Sequence, residues 1–199
     1  MIIGPKYKIA RRLGAAVFEK TQTQKFNASK EKKQPKFARA KSAYGAQLLE
    51  KQKARMVYGV SEKQFKNYVN HILSMKGTNA GEKLFETLES RLDNALCRAG
   101  YARSHREARQ LVSHGHFNVN GKRVSVPSFM LKAKDVITPR AGSQNRGVLA
   151  SFEERFKDLT LPNWLVYDKE SKGVTVSGVP KIAGELMFDL AAIIEFYRR

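Results

Sequence analysis

The chain is short of the residues that would tie it to membranes, to oxidising conditions or to metal chemistry. Cys97 is the only cysteine in 199 residues. That excludes an intramolecular disulfide and any zinc site built from several thiolates, and it fits reducing conditions. No run of about 18 apolar residues is present, which excludes a transmembrane helix. The first residues lack the apolar core of a signal peptide, so the expected setting is a soluble compartment. There is no Gly-rich nucleotide loop and no convergent acid–base set. Ser113-His114 lacks both a strained nucleophile turn and an oxyanion hole. Acids are scarce, with 18 Asp and Glu against 37 Lys and Arg, for a formal charge of +19. Self-repulsion on that scale calls for an anionic partner, and nucleic acid is the first candidate.

The charge is unevenly placed. Residues 1–66 hold 17 cations against 4 acids, residues 67–150 hold 13 against 6, and residues 151–199 hold 7 against 8. A solubilising surface would not grade in this way, whereas a chain whose N-terminal half lies along phosphates would. Residues 1–41 show little hydrophobic periodicity, and Gly4, Pro5 and Pro35 break them. They read as a basic extended arm that is ordered only on binding, with Lys6, Lys8, Arg11 and Arg12 as its densest cluster. Removing the arm is expected to leave the remaining domains folded.

From Gly45 the spacing of Leu48, Leu49, Met56 and Val57 predicts a helix ending near Gly59, with Lys51, Lys53 and Arg55 on its other face. Ser61 and Gln64 match a capping box, and Phe65, Tyr68, Val69 and Ile72 follow at helical spacing, so Lys63 and Lys66 face outward. Asn79 and Glu82 offer another cap. It leads into a predicted helix of about 18 residues that runs through Leu84, Leu88, Leu92 and Leu96 to Gly100. In that helix Arg91 suits either RNA or the helix dipole.

The stretch Arg91–Val126, RLDNALCRAGYARSHREARQLVSHGHFNVNGKRVSV, carries the most specific pattern. Ser104 and Glu107 form a capping box, Ala108, Leu111 and Val112 define a buried face, and Gly115 stops the helix. Arg103, Arg106, Arg109 and Gln110 share the opposite face, where the acids that accompany a merely solvated surface are few. Guanidinium groups suit bidentate phosphate recognition. Asn120-Gly121 between alternating runs is a type I′ hairpin signal, and Lys122 and Arg123 begin the return strand. These two, Ser104, and Lys51, Lys53, Arg55, Lys63 and Lys66 of the earlier helices join the arm and helix-face arginines as expected RNA-binding residues. Asp135–Thr138 supplies a third strand. His105, His114, His116 and Cys97 match no metal-ligand spacing, so RNA contact or simple surface placement is expected, with His114 as an RNA candidate. Tyr44, Tyr58, Tyr68 and Tyr101 are read as core or as base-stacking residues.

This central pattern resembles the S-four RNA-binding module. YGAQLLEKQKARMVYGVSEKQFKNYV, GPKYKIARRLG and the terminal IIEFYRR resemble the bacterial or plastid family of small-subunit ribosomal protein four. The resemblance implies an α+β fold: a helical domain with an inserted module of two helices and a small antiparallel sheet, preceded by the basic arm. On this sequence the arm is 1–41, the helical domain 42–90 plus 187–199, and the inserted domain 91–186 with its core at 91–138. Ile193, Ile194, Phe196 and Tyr197 would return to the helical core. The family binds the 5′ domain of small-subunit ribosomal RNA, nucleates early assembly, touches neighbouring small-subunit proteins and sits near mRNA where it enters. A bacterial cytoplasm or a plastid stroma is implied. Many members hold a zinc ion through N-terminal cysteines; this chain has none before Cys97, so no metal or other cofactor is expected.

The resemblance carries no catalytic role. The alternatives are a free-standing regulatory RNA binder and an RNA-modifying enzyme with an accessory module. The second is disfavoured because the basic helices and the module occupy most of the length.

Overall fold

A computed structural model of the chain describes residues 4–14, 17–31, 42–77, 79–143, 149, 152, 156 and 159–198. Among them are eight α-helices and five strands in one antiparallel sheet, an α+β fold. The chain divides into two compact units, Met1–Leu84 with Ile182–Arg199, and Phe85–Lys181. No helix among the described residues is long and apolar enough to cross a membrane.

In the first unit, α1 (Lys6–Leu13) and α2 (Gln24–Glu31) lie within the stretch read as an extended arm, of which residues 1–3, 15, 16 and 32–41 lie outside the described residues. The described part is therefore helical rather than extended, and the reason is packing. Leu13 and Val17 bury against Leu49, with Ile9, Phe18 and Met56 alongside, and Tyr7 packs on Phe26 with ring centroids 5.8 Å apart. Removing residues 1–41 would uncover Leu49 and Met56, so this stretch contributes to the packing of the first unit.

Helices α3 (Ala43–Val57) and α4 (Glu62–Ser74) form where the apolar spacing predicts them. Ser42 caps α3 by accepting from Gly45 N at 3.2 Å, and Ser61 caps α4 by accepting from Gln64 N at 3.3 Å. The Gln64 side chain does not return to the cap but donates to Tyr68 Oη at 3.2 Å. The closing helix α8 (Leu190–Arg198) packs on α3, where Gln47 Nε2 donates to Glu195 Oε2 at 2.6 Å. Ile193 and Ile194 are buried in this unit.

In the second unit the expected single helix is two: α5 (Ala80–Glu89), whose last turn belongs here, and α6 (Leu92–Arg98). Arg91 between them is extended, at φ −69° and ψ 139°, and forms an antiparallel bridge with Met130. Leu92 N donates to Phe129 O at 2.9 Å, and Leu131 N to Ser90 O at 2.8 Å. The loop after the hairpin thus takes backbone groups that a continuous helix would have used internally. Such a partner, dozens of residues away, overrides a local helical period.

After α7 (His105–Ser113) come β1 (Phe117–Val119), β2 (Lys122–Arg123), β3 (Val136–Pro139), β4 (Leu165–Asp168) and β5 (Gly173–Val176), in the order β2-β1-β3-β5-β4. Asn120 and Gly121 both have positive φ, 51° and 77°, as a type I′ turn requires, and Val119 pairs with Lys122. Phe117, Val119, Ile137, Leu165, Val174 and Val176 turn one face of the sheet onto Leu92, Leu96, Ala108 and Val112. Tyr101 is core: it stacks on Phe152 at 4.2 Å, and its hydroxyl donates to Lys172 O at 2.6 Å. Gly173 is needed for close strand approach, since a Cβ there would fall 3.0 Å from Ile137 O.

Leu13→Ala is expected to destabilise the first unit by about 2 kcal/mol, the low end for a buried leucine, as read by urea unfolding. A change within about 0.5 kcal/mol, the range of ordinary surface substitutions, would return α1 to the status of a loose arm.

Candidate nucleic-acid interface

Helix α7 owes its position to its start. Ser104 accepts from Glu107 N at 3.3 Å, and the Glu107 carboxylate reaches back to Arg103 N at 2.6 Å. Ser104 therefore acts as a cap. The same interaction engages the single acid of α7 at the helix start. Ala108 and Val112 are buried on one side, while Arg103, Arg106, Gln110 and His114 are exposed in a stripe on the other. Neither Arg103 nor Arg106 is ion-paired among the described residues.

Behind that stripe lies a buried polar network. The Asp93 carboxylate accepts from Arg91 Nε at 2.9 Å and Nη2 at 2.7 Å, and from Arg109 Nε at 3.2 Å and Nη2 at 2.8 Å. Beside it, Glu89 accepts from Arg98 at 2.8 Å and 3.2 Å and from Asn94 Nδ2 at 2.8 Å. Because Asn94 uses its amide nitrogen on Glu89, its oxygen faces His105 Nε2, 2.7 Å away, which makes that nitrogen the proton donor. Burial pushes the His105 ring down to about 4; the repulsion of Arg98 and Arg109 adds to burial, and the attraction of Asp93 and Glu89 opposes it.

Two candidate cations are corrected outright by this geometry. Arg91 is 1% exposed and spends its guanidinium on Asp93, so it holds the fold and does not face a ligand. Lys51 is also buried. It is paired with Glu62 at 2.7 Å and seated over the Phe196 ring at 4.4 Å and the Tyr197 ring at 5.6 Å. Three further candidates are committed in part: Arg55 to Glu62 at 2.8 Å, Lys53 to Glu50 at 2.6 Å, and Arg109 to Asp93. Although its own burial acts the other way, the Glu62 carboxyl is held below its usual range by Lys51, Arg55 and the Tyr197 hydroxyl.

The remaining candidates are at the surface, in two separate units. In the first, Lys8, Arg11 and Arg12 are exposed on α1, while Lys6 is partly covered, 5.8 Å from the Phe18 ring. Lys63 and Lys66 lie on an exposed face of α4 that continues through Asn67, Asn70, His71 and Ser74. That continuation is open to a reading at helical spacing from Lys63, since the face contains no acid. In the second unit, Lys122 and Arg123 are exposed beside the hairpin turn. Arg140 and His116 join this region through the pairing of β1 with β3, a long-range contact that no local pattern signals. Among the described residues no three His, Cys, Asp or Glu side chains gather as a metal site would require.

Two family models cover consecutive parts of the chain: the ribosomal protein S4/S9 N-terminal domain over residues 1–89 and the S4 domain over residues 90–137. The small ribosomal subunit protein uS4 of Persephonella marina is 38% identical over 98% of this chain and 97% of its own length. This chain belongs to the uS4 family. The uS4 of Desulforamulus reducens is 44% identical over 79% of this chain and 76% of its own, and that of Acetivibrio thermocellus 48% over 70% and 66%. The S4 domain match begins at Ser90, next to the extended Arg91 where the long helix breaks, and its span includes Arg91, Asp93 and Arg109, the α7 stripe and the Asn-Gly hairpin.

Asp93→Ala is expected to cost about 3–5 kcal/mol in urea unfolding, because it leaves buried guanidinium charge uncompensated. A cost under about 1 kcal/mol, the scale of an exposed ion pair, would show that the network holds nothing together. His105 gives a pH signature. Its ring is neutral in the fold down to about 4, but takes a proton near 6.5 once unfolded. The stability it supports is therefore complete above 6.5 and declines as pH falls towards 4, at a slope of at most about 1.4 kcal/mol per pH unit. His105→Gln should flatten that decline in denaturation curves taken across the window.

Proposed function

We propose that this chain is a structural, non-catalytic component of the bacterial small ribosomal subunit, acting in the cytoplasm by binding small-subunit ribosomal RNA through shape and phosphate contacts. The observation that carries this reading is the α7 stripe. Arg103, Arg106, Gln110 and His114 are exposed, while the nearby acids Glu89, Asp93 and Glu107 are engaged with Arg98, Arg91, Arg109 and the helix start. A face whose carboxylates are occupied within the protein offers its guanidinium groups to phosphate oxygens, which give position and affinity without reading bases.

In the same reading the second unit contains the RNA-binding module, and the first is the helical domain into whose chain it is inserted. Lys8, Arg11, Arg12, Lys63 and Lys66 contribute electrostatic affinity, and Lys122 and Arg123 contribute at the hairpin. The RNA is the 5′ domain of the small-subunit molecule, where the chain helps nucleate assembly beside neighbouring small-subunit proteins and near mRNA where it enters.

Arg103→Ala and Arg106→Ala are each expected to weaken binding to a small-subunit ribosomal RNA transcript. Each should also lower the slope of log affinity against log salt by about one unit, the loss of one neutralised phosphate. Unchanged slopes for both would remove the α7 stripe as the contact, and turnover of the RNA by the purified chain would overturn the structural reading.

A further inference from the structure

Where α7 ends, the chain turns through Gly115, at φ 70°, into β1. His114 and His116 flank that glycine with ring centroids 6.0 Å apart. Arg123 reaches back from β2 across the turn and donates from Nη2 to His114 O at 3.3 Å. Its guanidinium lies so close over Gly115 that a Cβ there would collide with Nε, Cζ and Nη2. On the other side Arg140, just past β3, donates its backbone N–H to His116 O at 2.8 Å. The His116 ring is held by Ser143 Oγ, 2.9 Å from Nδ1, and Ser143 is itself buried. Nε2 of His116 makes no hydrogen bond among the described residues.

No carboxylate faces this cluster among the described residues. The charged or titratable groups that act on His116 are His114 from the end of α7, Arg123 from β2 and Arg140 from beyond β3; the turn at Ala141–Ser143 brings only a hydroxyl. Burial first, then His114, Arg140 and Arg123, hold the ring below its usual range. Like charges gathered without a counter-charge repel one another, and a bound anion would relieve that repulsion.

We propose that His114, His116, Arg123 and Arg140 form a seat for one backbone phosphodiester of RNA, and that His116 takes up a proton as the phosphate binds. The seat rests on the RNA-binding reading above and adds to it a site and a pH dependence. The guanidinium groups supply fixed charge and forked donors, and His116 supplies a further donor once its Nε2 is protonated. Reciprocity follows: if the phosphate favours the protonated ring, acidification strengthens binding.

The test uses the full chain and a small-subunit ribosomal RNA transcript, with an unrelated RNA of equal length as control, over salt and between about pH 7.5 and about pH 6. Arg123→Gln and Arg140→Gln are each expected to lower the salt slope by about one unit. Wild-type affinity should rise several-fold on acidification, and His116→Gln should lose most of that rise. Reading the ratio of wild type to His116→Gln cancels the contributions of the other histidines. Circular dichroism and thermal unfolding check that the variants are folded. Histidine-ring NMR of the unaltered chain gives a second readout, in which RNA moves the His116 titration midpoint upward. Unchanged salt slopes in both arginine variants, an undiminished pH response in His116→Gln or an unmoved midpoint would each overturn the seat. Failure of the seat alone would leave wild-type preference for the small-subunit transcript, and the Arg103 and Arg106 slope changes, intact. A wild type that binds both RNAs equally would overturn the functional reading together with the seat.

Discussion

The second unit depends on one carboxylate. Asp93 holds two guanidinium groups, Arg91 from the break between α5 and α6 and Arg109 from the middle of α7, in a site where the acid and Arg91 are both almost fully enclosed. A buried ion pair is costly to desolvate and adds little net stability over an apolar substitute, yet removing one partner is severe. Its use here is geometric. It keeps Arg91 extended so that the loop around Met130 can pair with it, and it ties α6 to α7 at a fixed separation and rotation. The rotation decides which residues of α7 face out.

That arrangement sorts the charge of a chain with few acids. Glu89 and Asp93 are turned inward onto arginines, and Glu107 is taken by the start of α7, so the exposed stripe keeps its cations without local compensation. The first unit shows the same economy, with Glu62 shared by Lys51, Arg55 and the Tyr197 hydroxyl while the outer face of α4 carries no acid. Total charge favours a polyanion as the partner. The placement of the acids favours the faces that we propose to meet it.

Features set by neighbours along the chain are legible in the amino-acid sequence. The Ser61 and Ser104 caps, the apolar stripe of α4, the Asn120-Gly121 hairpin and the third strand follow from hydrogen-bond and φ requirements within a few residues. Features set by distant residues are not. The break at Arg91 depends on Phe129 and Met130, the burial of Lys51 on Phe196 and Tyr197, and the packing of α1 on Leu49. The candidate site is legible to the same degree. Helical spacing places Arg103, Arg106 and Gln110 outward, whereas it misplaces Arg91 and Lys51, because a basic residue at a helix surface and one buried on an acid look alike in sequence. Arg140 and His116 come together only through the pairing of β3 with β1, which no local pattern encodes.

The central claim is that the acid-free side of α7 is the surface that meets RNA. Tethered hydroxyl-radical cleavage tests it most directly: Cys97 is replaced by serine, a single cysteine carrying an iron chelate is placed at Gln110 or at Glu170 in the turn between β4 and β5, and each chain is bound to small-subunit ribosomal RNA. Strong, localised cleavage from Gln110 with little from Glu170 is the expected result. Cleavage from Glu170 with none from Gln110 would contradict it.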